Sequence, residues 1–267
     1  MRKKLLSLLL VFAILLVGCG TKAKDIDSTK KIKIGVSPVP HEEISKIAQK
    51  LLKEDGIELE IKVFDDYVQP NLALNDGSLD ANFFQHLPYL ETFNKEKNTK
   101  LVSIGPVHVE PIALYSSSVK NINDFKDGAE ILIPADASNG SRALFLLEKN
   151  GLIKLKEGTG NLVTEQDIVE NKKNIKFTPV DAALIPKAYK EKDGAVINSN
   201  YAIQAGLNPV KDGLVIEGSE SKYSNIIAVK ESDKNKEIIK KLLKAFQSKG
   251  VKEYIEKNFK GAVVPAF

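Results

Sequence analysis

KIKIGVSPVPHEEISKIAQKLLKEDGIELEIKVF, running from Lys31 to Phe64, decides the fold class. Lys31 to Val36 alternates polar and apolar residues, the period-two pattern of a strand. His41 to Asp55 places Ile44, Ile47, Ala48, Leu51 and Leu52 on one helical face, and Gly56 supplies the stop. Ile57 to Phe64 alternates again. Strand, helix and strand make a β-α-β unit, the crossover that builds parallel sheets.

The alternation continues downstream. Strands are expected at Ala81–Phe84, Leu101–Ile104, Ile112–Tyr115, Ile131–Ile133, Ile175–Thr178, Ala195–Ile197 and Ile226–Val229. Helices are expected at Pro70–Leu74, Pro88–Lys97, Ser141–Asn150, Ala183–Glu191, Ser199–Gly206, Lys234–Gln247 and Val251–Phe259. Such alternation predicts an α/β protein with open sheets. Two breaks in composition suggest that the chain crosses between lobes. One is Gly105-Pro106 with Pro111, and the other is the polar run GSESKY, Gly218 to Tyr223. A chain leaving at the first and returning at the second gives a discontinuous lobe 1 (31–112 plus 224–267) and an inserted lobe 2 (113–223). A cleft between two lobes is a natural ligand site.

The N-terminus reads as a targeting device. Arg2-Lys3-Lys4 precedes an apolar run from Leu5 to Val17, which is too short for the ~20 residues of a spanning helix. It has the length of a signal-peptide core. The run ends in Leu16-Val17-Gly18-Cys19, and Cys19 is the one cysteine of the chain. Small residues before a lone cysteine resemble a bacterial lipobox. The expected signal peptide is therefore 1–18, with the lipid on Cys19. Residues 19–30 are polar and small and read as a flexible tether.

Composition excludes several classes. Hydrophobic residues are 43% and charged residues 28%, the balance of a globular domain rather than a disordered or multi-span chain. The net charge is +4, but setting aside Arg2, Lys3 and Lys4 leaves 36 basic against 35 acidic residues. No nucleic-acid footprint is expected. One cysteine excludes an intramolecular disulfide framework and thiolate metal clusters. His41-Glu42-Glu43-Ile44-Ser45 begins like a zincin helix but lacks its second histidine. The three histidines, His41, His86 and His108, are far apart in sequence, so packed or solvated rings are expected rather than a metal site. Gly158-Thr159-Gly160 reads as a turn. No Walker A or G-x-S-x-G segment occurs, and no cofactor is expected.

The densest cluster is DANFFQHLPYL, Asp80 to Leu90. Phe84, His86 and Tyr89 would lie at the carboxyl end of a strand, the ligand edge of open α/β sheets. Core packing explains the aromatics equally well. Tyr67 sits at the neighbouring strand–helix junction. Arg142 is one of very few arginines in a lysine-rich chain. Its expected place is the first turn of an apolar helix, where the dipole disfavours a cation. A planar fork there suggests bidentate recognition of a carboxylate, and pairing with a nearby acid is the bland alternative. Asn198 and Asn225 flank strand ends, where helix capping is the simpler role for Asn198.

Taken in order, DANFFQHLPYL, PADASNGSRALFLLEKNGLIKL, AVINSNYA, SKYSNIIAV and GAVVPAF resemble the NlpA-type lipoproteins, most closely the methionine-binding lipoproteins of ABC importers. The resemblance spans about Ile32 to Phe267. It implies an α/β, two-lobed, periplasmic-binding-protein-like (type II) fold with a ligand cleft between the lobes. By motif, Tyr67, Phe84, His86 and Tyr89 would enclose the ligand side chain. Arg142 would bind its carboxylate, and Asn198 and Asn225 would hydrogen-bond its polar end. The segment before the arginine departs from the family, which often has P-N-D and T-N-x-G-R where this chain has Pro134-Ala135-Asp136 and Ser138-Asn139-Gly140-Ser141-Arg142.

The expected function follows from that resemblance. It is a lipid-anchored receptor on the extracytoplasmic face of the cell membrane, capturing L-methionine or a close relative for an ABC permease and its ATPase. Another amino acid or a methionine-containing dipeptide is the alternative ligand. An extracytoplasmic hydrolase would need a nucleophile–base pair or a metal set, and neither is evident. A surface lipoprotein without transport would have no tight small-molecule ligand.

Overall fold

Two sheets, each with its own apolar core, account for the alternation of strands and helices. The computed structural model describes residues 26–218 and 221–267; residues 1–18, Cys19 and the first part of the tether lie outside the described residues. The first sheet contains β1 (Lys31–Val36), β2 (Glu58–Val63), β3 (Ala81–His86), β4 (Leu101–Val109), β12 (Ser224–Lys230) and β13 (Val264–Pro265). Their order is β13-β4-β12-β3-β1-β2. The second contains β5 (Ala113–Tyr115), β6 (Glu130–Pro134), β9 (Lys176–Val180), β10 (Gly194–Ile197) and β11 (Val215–Ile216), in the order β11-β5-β10-β6-β9. β7 (Lys154–Leu155) and β8 (Ile168–Glu170) form a separate ribbon.

Strand direction changes where the chain passes from one sheet to the other. β1 runs parallel to β2 and β3, while β12, arriving straight from the second sheet, runs antiparallel between β3 and β4. Likewise β6 is parallel to β9 and β10, while β5, the first strand after the outward crossing, is antiparallel to β10. A parallel set with one antiparallel strand at each crossing is the topology of a two-lobed, type II periplasmic-binding-type fold.

The opening β-α-β unit forms as its periodicity predicts. Ile32, Ile34 and Val36 of β1 and Ile44, Ala48 and Leu52 of α2 (Glu43–Glu54) join one core with Phe83, Phe246 and Ile255. A separate core in the other sheet joins Ile131 and Ile133 of β6 to Leu144 and Leu147 of α5 (Ala137–Lys149).

Four differences from the sequence reading bear on the site. β4 does not stop at Ile104 but runs on to Val109 through Gly105-Pro106, and its register to β12 shifts twice on the way. Bulges absorb the irregular residues, so the break in composition is no break in the strand. Second, α5 begins at Ala137, not Ser141, because the Asp136 side chain caps it by accepting from the Asn139 N–H at 2.9 Å. Gly140 allows the close approach this requires: a Cβ there would lie 2.9 Å from the Pro134 carbonyl oxygen. Arg142 is therefore in the second turn, not the first. Third, the last part of the stretch 19–30, expected to be a tether, has structure of its own. Ile26 to Thr29 form a short helix, α1, with Ile26 buried in the lobe 1 core. Asp27 accepts from the Ile238 N–H at 3.0 Å, near the start of α9 (Glu237–Phe246). Fourth, β7, β8, β11 and β13 are strands of two or three residues, too short to show a period.

Candidate functional site

A cavity lies between the two sheets. Tyr67, Phe84, His86, Tyr89, Arg142, Asn198 and Asn225, the residues singled out from the sequence, all border it. So do Gln85, Glu110, Asn139, Ser199 and Asn200, which the sequence reading omits.

The aromatic wall begins at a bulge. β12 pairs Ile226 with Gln85 and Ile227 with Phe83, so Phe84 is the extra residue of β3. A bulge re-aims its side chain, and Phe84 joins Tyr67 at 5.8 Å and Tyr89 at 6.1 Å between ring centroids. The Tyr89 hydroxyl donates to the Tyr67 carbonyl at 3.1 Å. Tyr67 also packs against Tyr201, with centroids 4.9 Å apart and rings tilted by 35°, and its hydroxyl donates to Asn200 Oδ1 at 2.5 Å. Burial holds the Tyr67 phenol well above its usual pKa, so it stays a donor. Gln85 is occupied elsewhere, bonding Asn71 and Asn82 in a buried amide cluster.

His86 ties the two lobes together. Its Nδ1 accepts from the Tyr89 N–H at 3.2 Å, so Nε2 carries the proton and donates to Asn139 Oδ1 at 3.0 Å. Asn139 is fixed in turn, donating Nδ2 to both Asp136 oxygens at 3.1 and 3.0 Å. Burial, then the nearby Arg142 charge, lowers the His86 pKa to about 3. Asn198 occupies the N-cap position of α7 (Ser199–Gln204), yet its side chain makes no capping bond. It donates instead to Asn139 Oδ1 at 2.8 Å, and its own oxygen is buried with no protein partner. Asn200 Nδ2 is likewise unpartnered. Buried polar atoms without partners at a cavity wall are what a ligand satisfies.

Arg142 is buried, 3% exposed, and is held on three sides. Its Nε donates to Glu217 Oε1 at 3.1 Å and its Nη2 donates to Glu217 Oε2. Nη2 also donates to the Glu110 carbonyl at 2.8 Å, and the guanidinium lies 4.4 Å over the Tyr223 ring. The fork expected to grip an outside carboxylate therefore grips one of the protein's own along its Nε–Nη2 edge.

Asn225 connects the cavity to a buried cluster. Asn225 Oδ1 and Glu110 Oε1 lie 3.0 and 3.2 Å from His41 Nε2. Both are acceptors, so Nε2 carries the proton. His108 Nε2 donates to the same Glu110 oxygen at 2.7 Å. Two of the three histidines, far apart in sequence, pack together: the His41 and His108 rings are 5.0 Å apart. His41, His108 and Glu110 bring donor atoms within 4.8 Å of one another. Ligand atoms on a tetrahedral ion at ~2.0–2.1 Å stand roughly 3.3 Å apart. The His108–Glu110 pair is closer than that, and hydrogen bonding accounts for it.

With this geometry in hand, comparison with known proteins is informative. A family model described as NlpA lipoprotein matches residues 32–267. The chain belongs to the NlpA lipoprotein family. Among its relatives, the D-methionine-binding lipoprotein MetQ of Salmonella typhimurium is 43% identical over 258 residues, 96% of this chain and 94% of that protein. A solved nutrient-binding protein from Burkholderia cenocepacia, bound to methionine, is 46% identical with a TM-score of 0.86, covering 88% of this chain and 100% of that one. A periplasmic substrate-binding protein of an ABC transporter from Coxiella burnetii is 42% identical with a TM-score of 0.85, again covering 88% and 100%. For this NlpA lipoprotein, one signal could have exposed Glu110 earlier. It is a lone acid in the apolar run VHVEPIALY, where an unpaired charge would be costly.

Proposed function

We propose that this lipoprotein is the substrate-binding component of an ABC importer and that its cleft holds methionine. The observation that carries the reading is the cavity itself: an aromatic wall from one lobe faces a guanidinium and unpartnered amides from the other. A thioether packs well against Tyr67, Phe84 and Tyr89, with S–aromatic contacts worth roughly 0.3–1.5 kcal/mol each. Arg142 and the amide nitrogens of Asn200 and Asn225 suit a carboxylate. A hydrolase is disfavoured, since the Ser199 hydroxyl, the aliphatic hydroxyl bordering the cavity, donates to the Pro111 backbone carbonyl rather than to a general base. The division into 31–112 plus 224–267 and 113–223 belongs to this reading and is supported by the strand membership of the two sheets.

Calorimetric titration of ligand-stripped protein tests the reading. Methionine is expected to bind well below millimolar, ahead of glutamine and methionine dipeptides, with both enantiomers titrated. No binding of any of them below millimolar would end it. Phe84→Ala should weaken methionine by about tenfold or more, since ~1.4 kcal/mol of lost apolar contact is a decade. Glutamine should lose less, because its end is polar. An equal loss for both would place Phe84 outside the side-chain wall.

Lipid on Cys19 would hold the receptor at the outer face of the membrane, beside its permease and ATPase. Two acyl chains suffice for stable anchoring. Cys19→Ser is expected to move the protein out of the membrane fraction or leave its leader uncleaved. Unchanged, detergent-dependent anchoring of that variant would contradict the lipid assignment.

A further inference from the structure

We propose that the lysine-bearing face of α9, beside the point where the N-terminal segment joins the folded chain, rests on the anionic headgroups of the bilayer that holds the lipid. This rests on the lipidation of Cys19 proposed above and adds how the anchored receptor lies on its membrane.

Charge is unevenly spread along the chain. From Cys19 onward there are 36 basic and 35 acidic residues, yet Lys234 to Lys260 holds nine lysines against three acids, Glu237, Glu253 and Glu256. The remainder then has 27 basic against 32 acidic residues, so an acidic body carries one basic segment. That segment forms α9 and α10 (Lys249–Phe259). On α9 the helical period sorts two faces. Ile238, Ile239, Leu242, Ala245 and Phe246 are buried. Glu237, Lys240, Lys241 and Lys244, at i, i+3, i+4 and i+7, are exposed along one stripe. Lys240 reaches Glu237 at 2.5 Å, an exposed pair that contributes little. Lys241 and Lys244 have no ion-pair partner among the described residues.

The N-terminal junction limits how far this stripe can stand from the membrane. α1 docks at the first turn of α9, with Ile26 buried and Asp27 accepting from the Ile238 N–H at 3.0 Å. Lys244 is six residues further on, ~9 Å along the helix axis. Seven residues, Cys19 to Asp25, join the proposed lipid to α1. Even at full extension they span no more than ~25 Å. The start of α9 is therefore kept within that distance of the headgroups. So short a linker makes the encounter intramolecular, and an attraction too weak to recruit a free protein suffices. Lysines close to an anionic lipid surface are drawn to it, and the stripe supplies three.

The test uses the full mature lipoprotein in nanodiscs without permease, one set made of phosphatidylglycerol and one of phosphatidylcholine. Lysines are acetylated with a water-soluble reagent and read by mass spectrometry. Lys172, on lobe 2 with its side chain 87% exposed, is the internal control. Lys240, Lys241 and Lys244 are expected to react roughly fivefold more slowly on phosphatidylglycerol, the equivalent of ~1 kcal/mol per lysine. Lys172 should be unchanged, and high salt should erase the difference. Replacing Lys241 and Lys244 together by glutamate should abolish the protection of Lys240 and leave methionine affinity as in wild type. Equal rates on both lipids overturn the inference, as does protection of Lys240 that survives the double replacement. Protection that appears only once the permease is added assigns the face to the permease and overturns it too. Protein that fails to co-float with either nanodisc refutes the lipid on Cys19 and this inference with it. Anchored protein with unprotected lysines refutes this inference alone.

Discussion

Arg142→Ala is expected to weaken methionine binding by roughly 30- to 3,000-fold, the equivalent of ~2–5 kcal/mol for removing one partner of a buried charge pair. The structure sharpens why. Arg142 is already fixed by Glu217, by the Glu110 carbonyl and by the face of Tyr223. A guanidinium held this way loses little side-chain freedom when a ligand arrives, so its charge acts at little entropic cost. With its Nε–Nη2 edge on Glu217, Nη1 is the nitrogen left for a ligand carboxylate. Alanine removes that contact and also strands the Glu217 carboxylate, so thermal stability should fall along with affinity. Arg142→Lys separates the two effects. It keeps a positive charge near Glu217 but cannot bridge Glu217, the Glu110 carbonyl and a ligand at once. Lysine should therefore recover much of the stability and little of the affinity. Wild-type affinity in a folded Arg142→Ala protein would remove Arg142 from the ligand site.

The sequence is legible where one period dominates a segment and opaque where distant residues decide the local structure. The unit from Lys31 to Phe64 shows its alternation and its helical face openly, and it folds as that pattern requires. DANFFQHLPYL was legible as a strand running into a helix because Pro88 and the aromatics mark the junction; the structure has His86 at the N-cap. That Phe84 is aimed by a bulge was not legible, since a bulge depends on the partner strand 140 residues away in β12. The start of α5 could have been found from Asp136, an N-cap residue three positions before Asn139. Gly140 inside the first turn is a poor helix former, and its approach to the Pro134 carbonyl accounts for it. Glu110 has one partner within reach of a spacing rule, His108 two positions away, but His41 and Arg142, which complete its surroundings, lie far away along the chain. The extended β4 escaped because Gly105-Pro106 is a break by composition, and only pairing with β12 carries a strand through it.

Stability should fall by several kcal/mol as the pH drops from 7.5 to 5, through the three buried histidines. His41, His86 and His108 are fully or almost fully buried, and their folded pKa values are lowered to about 4, about 3 and about 3, mainly by loss of hydration. In the unfolded chain an imidazole titrates near 6.5. Between ~6.5 and the folded values the unfolded chain therefore binds protons that the folded chain does not, so acid favours unfolding. At pH 5 the difference is about 2 kcal/mol for each ring, or roughly 6 kcal/mol for three. Glu110 and Asp136 act in the opposite sense. Burial raises both, so the folded form gains protons before the unfolded form does, and acidification relieves part of the cost of burying them. That relief opens at their raised folded values and is complete below their ordinary values of 4.5 and 3.8, so it subtracts from the histidine loss. Urea unfolding at pH 7.5, 6 and 5 measures the slope, and imidazole resonances measure its origin. Three rings that hold constant chemical shifts down to pH 5 while the unfolding midpoint falls are the expected result. A flat midpoint, or rings titrating near 6.5 in the folded protein, would mean that water reaches the cluster behind the cleft and that Glu110 shares its site with imidazolium.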